Sequence, residues 1–197
     1  LPGTLLADVR EHSARVDREI TDGYERQAVI TAAGSLLENA GLDGESDTLL
    51  KANLAKSHSP YYLMSQLSSN AKKRGDKDEA LKWSQQAFET SEGPATRLQW
   101  GAGYVSTLVD LAPQDEARIE RTVAQLLTEA AAQPDAFYER SGRYLQKVGG
   151  KLVAWNKGGT HGAVLKRLQG QLQGVCEKLP ADDAAQRGVC RGLLKKG

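Results

Sequence analysis

The sequence predicts an all-α protein, and three observations lead to that prediction. Apolar residues recur at helical spacing, as Leu5, Val9 and Val16 do in the opening segment. No long window alternates apolar and polar residues with the β-branched enrichment of strands. Prolines such as Pro60 and Pro94 stand where one periodic segment ends and the next begins, a position that helices tolerate. We therefore expect about nine or ten helices.

Several of the helix breaks repeat at a fixed distance. Three pairs lie 34 residues apart: Gly41 and Gly75, Pro60 and Pro94, and Gly34 and Ser68. A 34-residue unit of two helices is the period of the tetratricopeptide repeat (TPR). The predicted fold class is therefore an all-α, TPR-like α–α superhelix, which is a solenoid of helix hairpins.

The repeat divides the chain into units of increasing length within one predicted domain, residues 1–197. The expected units are 27–60, 61–94, 95–134 and 135–180, followed by a capping helix at about 182–195. Helices after Pro94 are expected at about 95–110, 114–132, 135–154 and 159–178. Ala71 and Ser84 stand where the TPR pattern usually has aromatic residues. Irregular later repeats are typical of the end of a capped array.

Charge and hydropathy exclude two classes of partner. The chain has 26 basic and 25 acidic residues, so its net charge of +1 argues against nucleic acid as the main partner. No apolar run approaches the roughly 18 residues of a membrane-spanning helix. The chain begins with Leu1, and its opening is too charged for a signal peptide. We therefore expect a fragment or processed product, with any targeting segment upstream.

The tripeptide Arg74-Gly75-Asp76 is predicted to be a helix corner. Gly75 can adopt the positive φ that ends a helix, and Asp76 can cap the next one, with Glu79 three residues later. Adhesion through this tripeptide would need a protruding flexible tip, which a short turn between packed helices does not offer. A phosphate-binding loop would need a different glycine-rich pattern.

No catalytic, cofactor or metal site is predicted. The three histidines have no neighbouring ligands at a signature spacing, and no nucleophile elbow is present. They are His12, His58 and His161. We expect no cofactor and no catalysis by this segment alone.

The predicted binding surface is the concave face that stacked helix pairs form from the first helix of each unit. Its candidate residues are Tyr62, Ser65, Ser69, Lys72, Lys73 and Gln99. Lys72 and Lys73 could receive a carboxylate of an extended peptide. The alternative is that these lysines are solvent-exposed residues at a helix end with no role in binding.

The two cysteines, Cys176 and Cys190, fit neither a zinc signature nor a redox C-x-x-C motif. Pro180 separates them into two helices, which could bring them together if antiparallel. A disulfide needs Cα atoms within about 7 Å. If formed, it would hold the last helix in place and stabilise the folded state by about 3 kcal/mol. From the residues alone, a disulfide and two buried thiols remain open alternatives.

Longer strings resemble one protein family. Among them are "YERQAVITAAGSLLENAGLDGESDTLL", "GPATRLQWGAGYVSTLVDLAPQDEARIE", "KLVAWN" and "GVCEKLPADDAAQRGVCRGLL". They resemble the C-terminal helical region of proteobacterial thioredoxin-family proteins. The resemblance implies a periplasmic protein with thiol–disulfide exchange activity, whose redox domain precedes this region. It also favours the Cys176–Cys190 disulfide. This chain has no W-C-x-x-C motif, so no catalytic residue carries over.

The function expected from these observations is that of a non-catalytic, TPR-like module that binds proteins or peptides, including redox substrates of a thioredoxin-like oxidoreductase or isomerase. The alternative is a structural domain that stabilises or dimerises the parent protein. The sequence leaves the oligomeric state open.

Overall fold

The computed structural model describes residues 2–195, and this part of the chain is helical with no strand. Its ten α-helices are α1 (Gly3–Glu19), α2 (Gly23–Asn39), α3 (Asp43–Asn53), α4 (Tyr61–Lys73), α5 (Lys77–Thr90), α6 (Pro94–Leu111), α7 (Glu116–Ala131), α8 (Glu139–Trp155), α9 (Gly162–Lys178) and α10 (Ala184–Gly192). The all-α prediction is confirmed. The finer prediction of a TPR-like superhelix stays a prediction.

The chain forms two compact units, Leu1–Ser91 and Glu92–Gly197, called here the first unit and the second unit. Their boundary lies three residues before Pro94, where the sequence predicts the end of a repeat. That residues 1–197 form a single domain stays a prediction.

The predicted 34-residue spacing corresponds to two similar helix ends in the first unit. Gly41 and Gly75 both have a φ of 79°, which a glycine adopts without the steric cost of a Cβ atom. The N–H of the residue after each glycine donates across the helix end: Leu42 to the Leu37 carbonyl and Asp76 to the Ala71 carbonyl, both at 2.9 Å. These are the bonds of a Schellman motif. The predicted corner at Gly75 is therefore confirmed.

The first unit contains two antiparallel helix hairpins, α2–α3 and α4–α5. At the crossing of α2 and α3, the Ser46 hydroxyl donates to the Gly34 carbonyl at 2.7 Å. At the crossing of α4 and α5, the Ser68 hydroxyl donates to the Ala80 carbonyl at 2.7 Å. Gly34 and Ser68, and likewise Ser46 and Ala80, are 34 residues apart. Both crossings thus use small residues at the same repeat positions, but the donor lies on opposite helices.

The core of the first unit consists of leucine and isoleucine side chains from α2, α3 and α4. Ile30, Leu50, Leu63 and Leu67 are fully buried. Burial of each such side chain stabilises the folded state by roughly 1.5–3 kcal/mol relative to its exposure. The exposed polar residues of α4 lie on the side of the helix that faces away from this core.

The second unit contains the α6–α7 hairpin, against which α8 and α9 lie. Arg97 of α6 pairs with Glu129 of α7 at 2.7 Å. Arg167 of α9 pairs with Glu120 of α7 at 2.6 Å, and the amide of Gln171 donates to the Ala124 carbonyl at 2.9 Å. The order of these contacts makes α7 and α9 parallel.

Helices α6 and α8 also run parallel in the second unit. Arg140, at the start of α8, donates to Gln99 of α6. Lys151, near the end of α8, pairs with Asp110 near the end of α6. The contacts of α8 with α6, and those of α9 with α7, therefore each join two helices that point in the same direction.

The C-terminal segment is held against α8 and α9. Leu193 and Leu194 are buried, and the Leu193 carbonyl lies so close to Gly149 of α8 that no side chain would fit there. Helix α10 ends at Gly192, three residues earlier than the predicted end at 195. The segment after α10 turns inward because its two leucines fill the apolar space beside α8.

Candidate functional site

The predicted binding surface on α4 lies opposite the buried face of that helix. The α4 face is defined here as Tyr62, Ser65, Ser69, Lys72 and Lys73. Tyr62 and Ser65 are half-buried, whereas Ser69, Lys72 and Lys73 are exposed. The five residues share one side of α4 because they recur at intervals of three or four. The α4 face is therefore accessible and polar, with an aromatic side chain at its N-terminal end.

Two basic residues at the end of α4 pair with acidic residues of neighbouring helices. Lys73 pairs with Glu38 of α2 at 2.5 Å, and the next residue, Arg74, pairs with Asp47 of α3 at 2.8 Å. The Lys73 side chain is 59% exposed and that of Glu38 only 15%, so a partner carboxylate could approach Lys73 from the solvent side while the pair with Glu38 stays in place. The Lys72 side chain is exposed at the same helix end.

Gln99, the remaining predicted binding residue, lies on α6 in the second unit. Its side-chain oxygen accepts a hydrogen bond from Arg140 of α8. Helix α8 carries four basic residues and one acidic residue. Gln99 therefore lies beside a locally basic helix, although the net charge of the whole chain is only +1.

Cys176 and Cys190 form a disulfide bond in the structure. Their Cα atoms are 5.7 Å apart, within the range that a disulfide spans, and their exposed fractions are 2% and 0%. The bond joins α9 to α10. Because both residues are buried, the geometry suits a structural crosslink between the last two helices better than a redox centre, which needs an accessible sulfur.

A surface depression beside this disulfide was not predicted from the sequence. It has a volume of about 520 Å³ and lies between α9 and the end of α10. Its lining residues are Gln169, Leu172, Gln173, Cys176, Glu177, Arg191, Leu194 and Lys195. The cysteine pair indicates that α9 and α10 lie together, but no sequence pattern indicates a depression beside them.

His161 takes part in local packing. The His161 ring stacks on Trp155, with 3.7 Å between centroids, and its Nδ1 contacts Glu116 at 2.5 Å. The indole N–H of Trp155 donates to the Pro113 carbonyl at 2.9 Å. These contacts join the loop after α8 to the loop before α7. Within residues 2–195, no group of three or more His, Cys, Asp and Glu residues could hold a metal ion.

A buried charge in the first unit is fully engaged in structural contacts. Arg26 of α2 is only 4% exposed, and its guanidinium donates to Asp17 of α1 and Asn53 of α3. It also donates to the backbone carbonyls of Asp17 and Ile20. Because the guanidinium is surrounded by acceptors, it joins three helices and is not available to a ligand.

Comparison of the chain with protein-family models, with curated proteins and with solved structures gave no match. Among the helices of residues 2–195, none is long and apolar enough to cross a membrane.

Proposed function

We propose that this chain is a non-catalytic, TPR-like interaction module of a periplasmic thioredoxin-like thiol–disulfide oxidoreductase, with the redox domain N-terminal to it. In this role the module binds protein segments and presents them to the redox domain. The proposal combines the family resemblance with the surface properties of the helices.

The observation that carries the interaction role is the exposed polar face of α4. The opposite side of α4 is fully buried at Leu63 and Leu67, so the core does not need the α4 face. A helix surface with serine hydroxyls, a tyrosine and two lysines can donate hydrogen bonds to the carbonyls and carboxylates of an extended peptide. Such a face recognises many peptides, which suits a module that receives varied substrates.

The buried Cys176–Cys190 disulfide supports an exported protein. Stable disulfides persist in oxidising compartments such as the bacterial periplasm and are rare in the cytosol. The same compartment is the one implied by the family resemblance.

The interaction role is tested by charge reversal on α4 in the full-length parent protein. We expect Lys72→Glu with Lys73→Glu to reduce the capture of unfolded, disulfide-containing substrates, measured by crosslinking and co-purification. The matched control is Lys77→Glu with Lys82→Glu on α5, which changes the charge equally away from the α4 face. If the α4 variant captures substrate as well as the control does, the α4 face is not the binding surface.

The second candidate function is self-association that stabilises or dimerises the parent protein. In that role the exposed apolar side chains of the first unit, Leu5 and Leu36 at about 40%, would lie in the contact between copies. Light scattering over a concentration series tests this candidate. A monomer at all concentrations would exclude dimerisation.

A further inference from the structure

The depression beside the disulfide has an apolar floor. Leu172, Cys176 and Leu194 line it and are nearly buried by the rest of the second unit. A second depression of about 470 Å³ adjoins it and shares Gln169, Leu194 and Lys195. The two depressions are called here the C-terminal groove. An apolar floor of this size can accept one or two aliphatic side chains.

The walls of the C-terminal groove are held by covalent and hydrogen bonds. The disulfide fixes α10 against α9, and the side-chain amide of Gln169 donates to the Leu194 carbonyl at 3.1 Å. On the far side, the Leu193 carbonyl lies against Gly149. A ligand that enters this groove therefore pays little for ordering the protein, which favours binding.

The rim of the groove has separate positive and negative sides. Arg191 lies near the end of α10, and Lys195 lies in the short segment that follows this helix; both are exposed and form no ion pair within the described residues. On the α9 side, the Glu177 carboxylate accepts from the amide of Gln173 at 2.8 Å. An anionic group next to an apolar group would therefore be attracted to the α10 side of the rim.

One kind of residue carries both groups side by side, namely an aliphatic residue at the C-terminus of a polypeptide. Its side chain would lie on the floor formed by Leu172 and Leu194, and its α-carboxylate would contact Arg191 and Lys195. The adjoining depression lies beside the shared residues Gln169 and Leu194. It provides space for the residue that precedes the terminus.

We propose that the C-terminal groove binds the free C-terminus of a polypeptide that ends in an aliphatic residue. The proposal does not depend on the proposed function, because the groove contains no residue of the α4 face.

The test uses the complete chain and a fluorescein-labelled hexapeptide, Gly-Ser-Gly-Ser-Ala-Leu, with a free carboxylate. We expect fluorescence anisotropy to show saturable binding. Amidation of the peptide terminus, or Arg191→Glu with Lys195→Glu in the protein, is expected to weaken binding at least tenfold, since each removes the charge-assisted contact. The matched control is Lys166→Glu with Lys178→Glu on α9, outside the groove lining, which should leave the dissociation constant unchanged.

A second variant separates loss of binding from loss of folding. Gln173→Trp places a large side chain at an exposed position of the groove, so circular dichroism should be unchanged while binding is lost. Equal affinity for the amidated and free peptides, or no binding of either, would overturn the proposal. It would also be overturned if the chain dimerises and Arg191→Glu with Lys195→Glu makes it monomeric, because the occupant would then be a second copy. None of these outcomes bears on substrate capture by the α4 face.

Discussion

At the scale of single residues, Gly149 allows the C-terminal segment to pack closely against α8 because it has no side chain. A Cβ atom there would lie 2.0 Å from the Leu193 carbonyl oxygen, which is a backbone atom and cannot turn aside. We expect Gly149→Ala to lower the free energy of unfolding by about 1–3 kcal/mol, measured by urea denaturation. This range is a net value: the higher helix propensity of alanine, worth up to about 1 kcal/mol, offsets part of the steric cost.

The adjacent residue provides the control for this prediction. A Cβ atom at Gly150 would have no neighbour within 4 Å, and this residue lies in the same helix. Gly150→Ala should therefore be neutral or stabilising. Equal stability of the two variants would show that α8 does not need the close approach of Leu193.

Asp17 is the residue whose titration is expected to affect stability. Burial by itself would raise the pKa of Asp17, but hydrogen bonds from Asn53 and Arg26, and the charge of Arg26, outweigh it and lower the pKa below its ordinary value. A lowered pKa in the folded state means that the carboxylate stabilises the fold above about pH 4. This contribution is lost as the pH falls through the lowered pKa.

The prediction is made for Asp17→Asn. At pH 7 we expect this variant to be less stable by about 1–3 kcal/mol, because buried Arg26 loses its charged partner. The deficit should shrink as the pH is lowered from 5 toward 2, measured by urea denaturation at each pH. Asp8→Asn, an exposed carboxylate on the same helix, is the control. A deficit that does not change with pH would contradict the assigned role of the Asp17 charge.

Some of these residue-scale features are predictable from the sequence and others are not. The corner at Gly75 and the capping of α5 by Asp76, which accepts the Glu79 N–H at 3.2 Å, follow from local residue chemistry and are confirmed. The sequence does not predict the pairing of Lys73 with Glu38. The 34-residue period aligns position 73 with position 39, which is next to Glu38, but it does not say which side chains pair. The Arg26 cluster joins residues far apart in the sequence, and no local pattern indicates it.

At the scale of elements, α10 is the helix most dependent on a single bond. It has only nine residues, too few for stability in isolation, and the Cys176–Cys190 disulfide joins it to α9. We expect Cys176→Ala with Cys190→Ala to lower the free energy of unfolding by about 3 kcal/mol, the value for a loop of this length. Hydrogen exchange should show the largest loss of protection in α10.

Titration of thiols provides the direct check on the disulfide. Protein that is denatured without reductant should contain no reactive thiol, and reduced protein should contain two. Two free thiols before reduction would contradict the disulfide. An unchanged stability of the double variant would instead show that other contacts hold α10.

The start of α8 shows why element boundaries were less predictable than the elements themselves. The sequence predicts a helix from about residue 135, but α8 begins at Glu139. The backbone before it is held by Gln186 of α10, which accepts the Phe137 N–H at 3.1 Å and donates to the Pro134 carbonyl at 2.7 Å. Because Gln186 is about 50 residues away in the sequence, local periodicity carries no information about this contact.

At the scale of the whole molecule, the repeat period predicts where helices end better than it predicts which helices pack against each other. The 34-residue spacing correctly places the ends of α2 and α4 and the small residues at both hairpin crossings of the first unit. It breaks down after Pro94, and in the C-terminal part of the second unit Leu193 and Leu194, which follow α10, fill the space beside α8. The C-terminal groove lies in this part of the chain, where the 34-residue period no longer applies. The period therefore carries no information about the groove.

The division into two units leads to a prediction about folding. Each unit has its own buried core and about 90 or more residues, which is enough for independent stability. We expect fragments 1–91 and 92–197 to be helical and to unfold cooperatively on their own, measured by far-ultraviolet circular dichroism during heating.

A division after Gly75 is the control, because it separates α4 from α5 and removes the apolar partner of each; those fragments should lose helicity. If fragments 1–91 and 92–197 are unfolded at 25 °C while the intact chain is folded, each unit requires the other. The chain would then be the single domain that its sequence predicts.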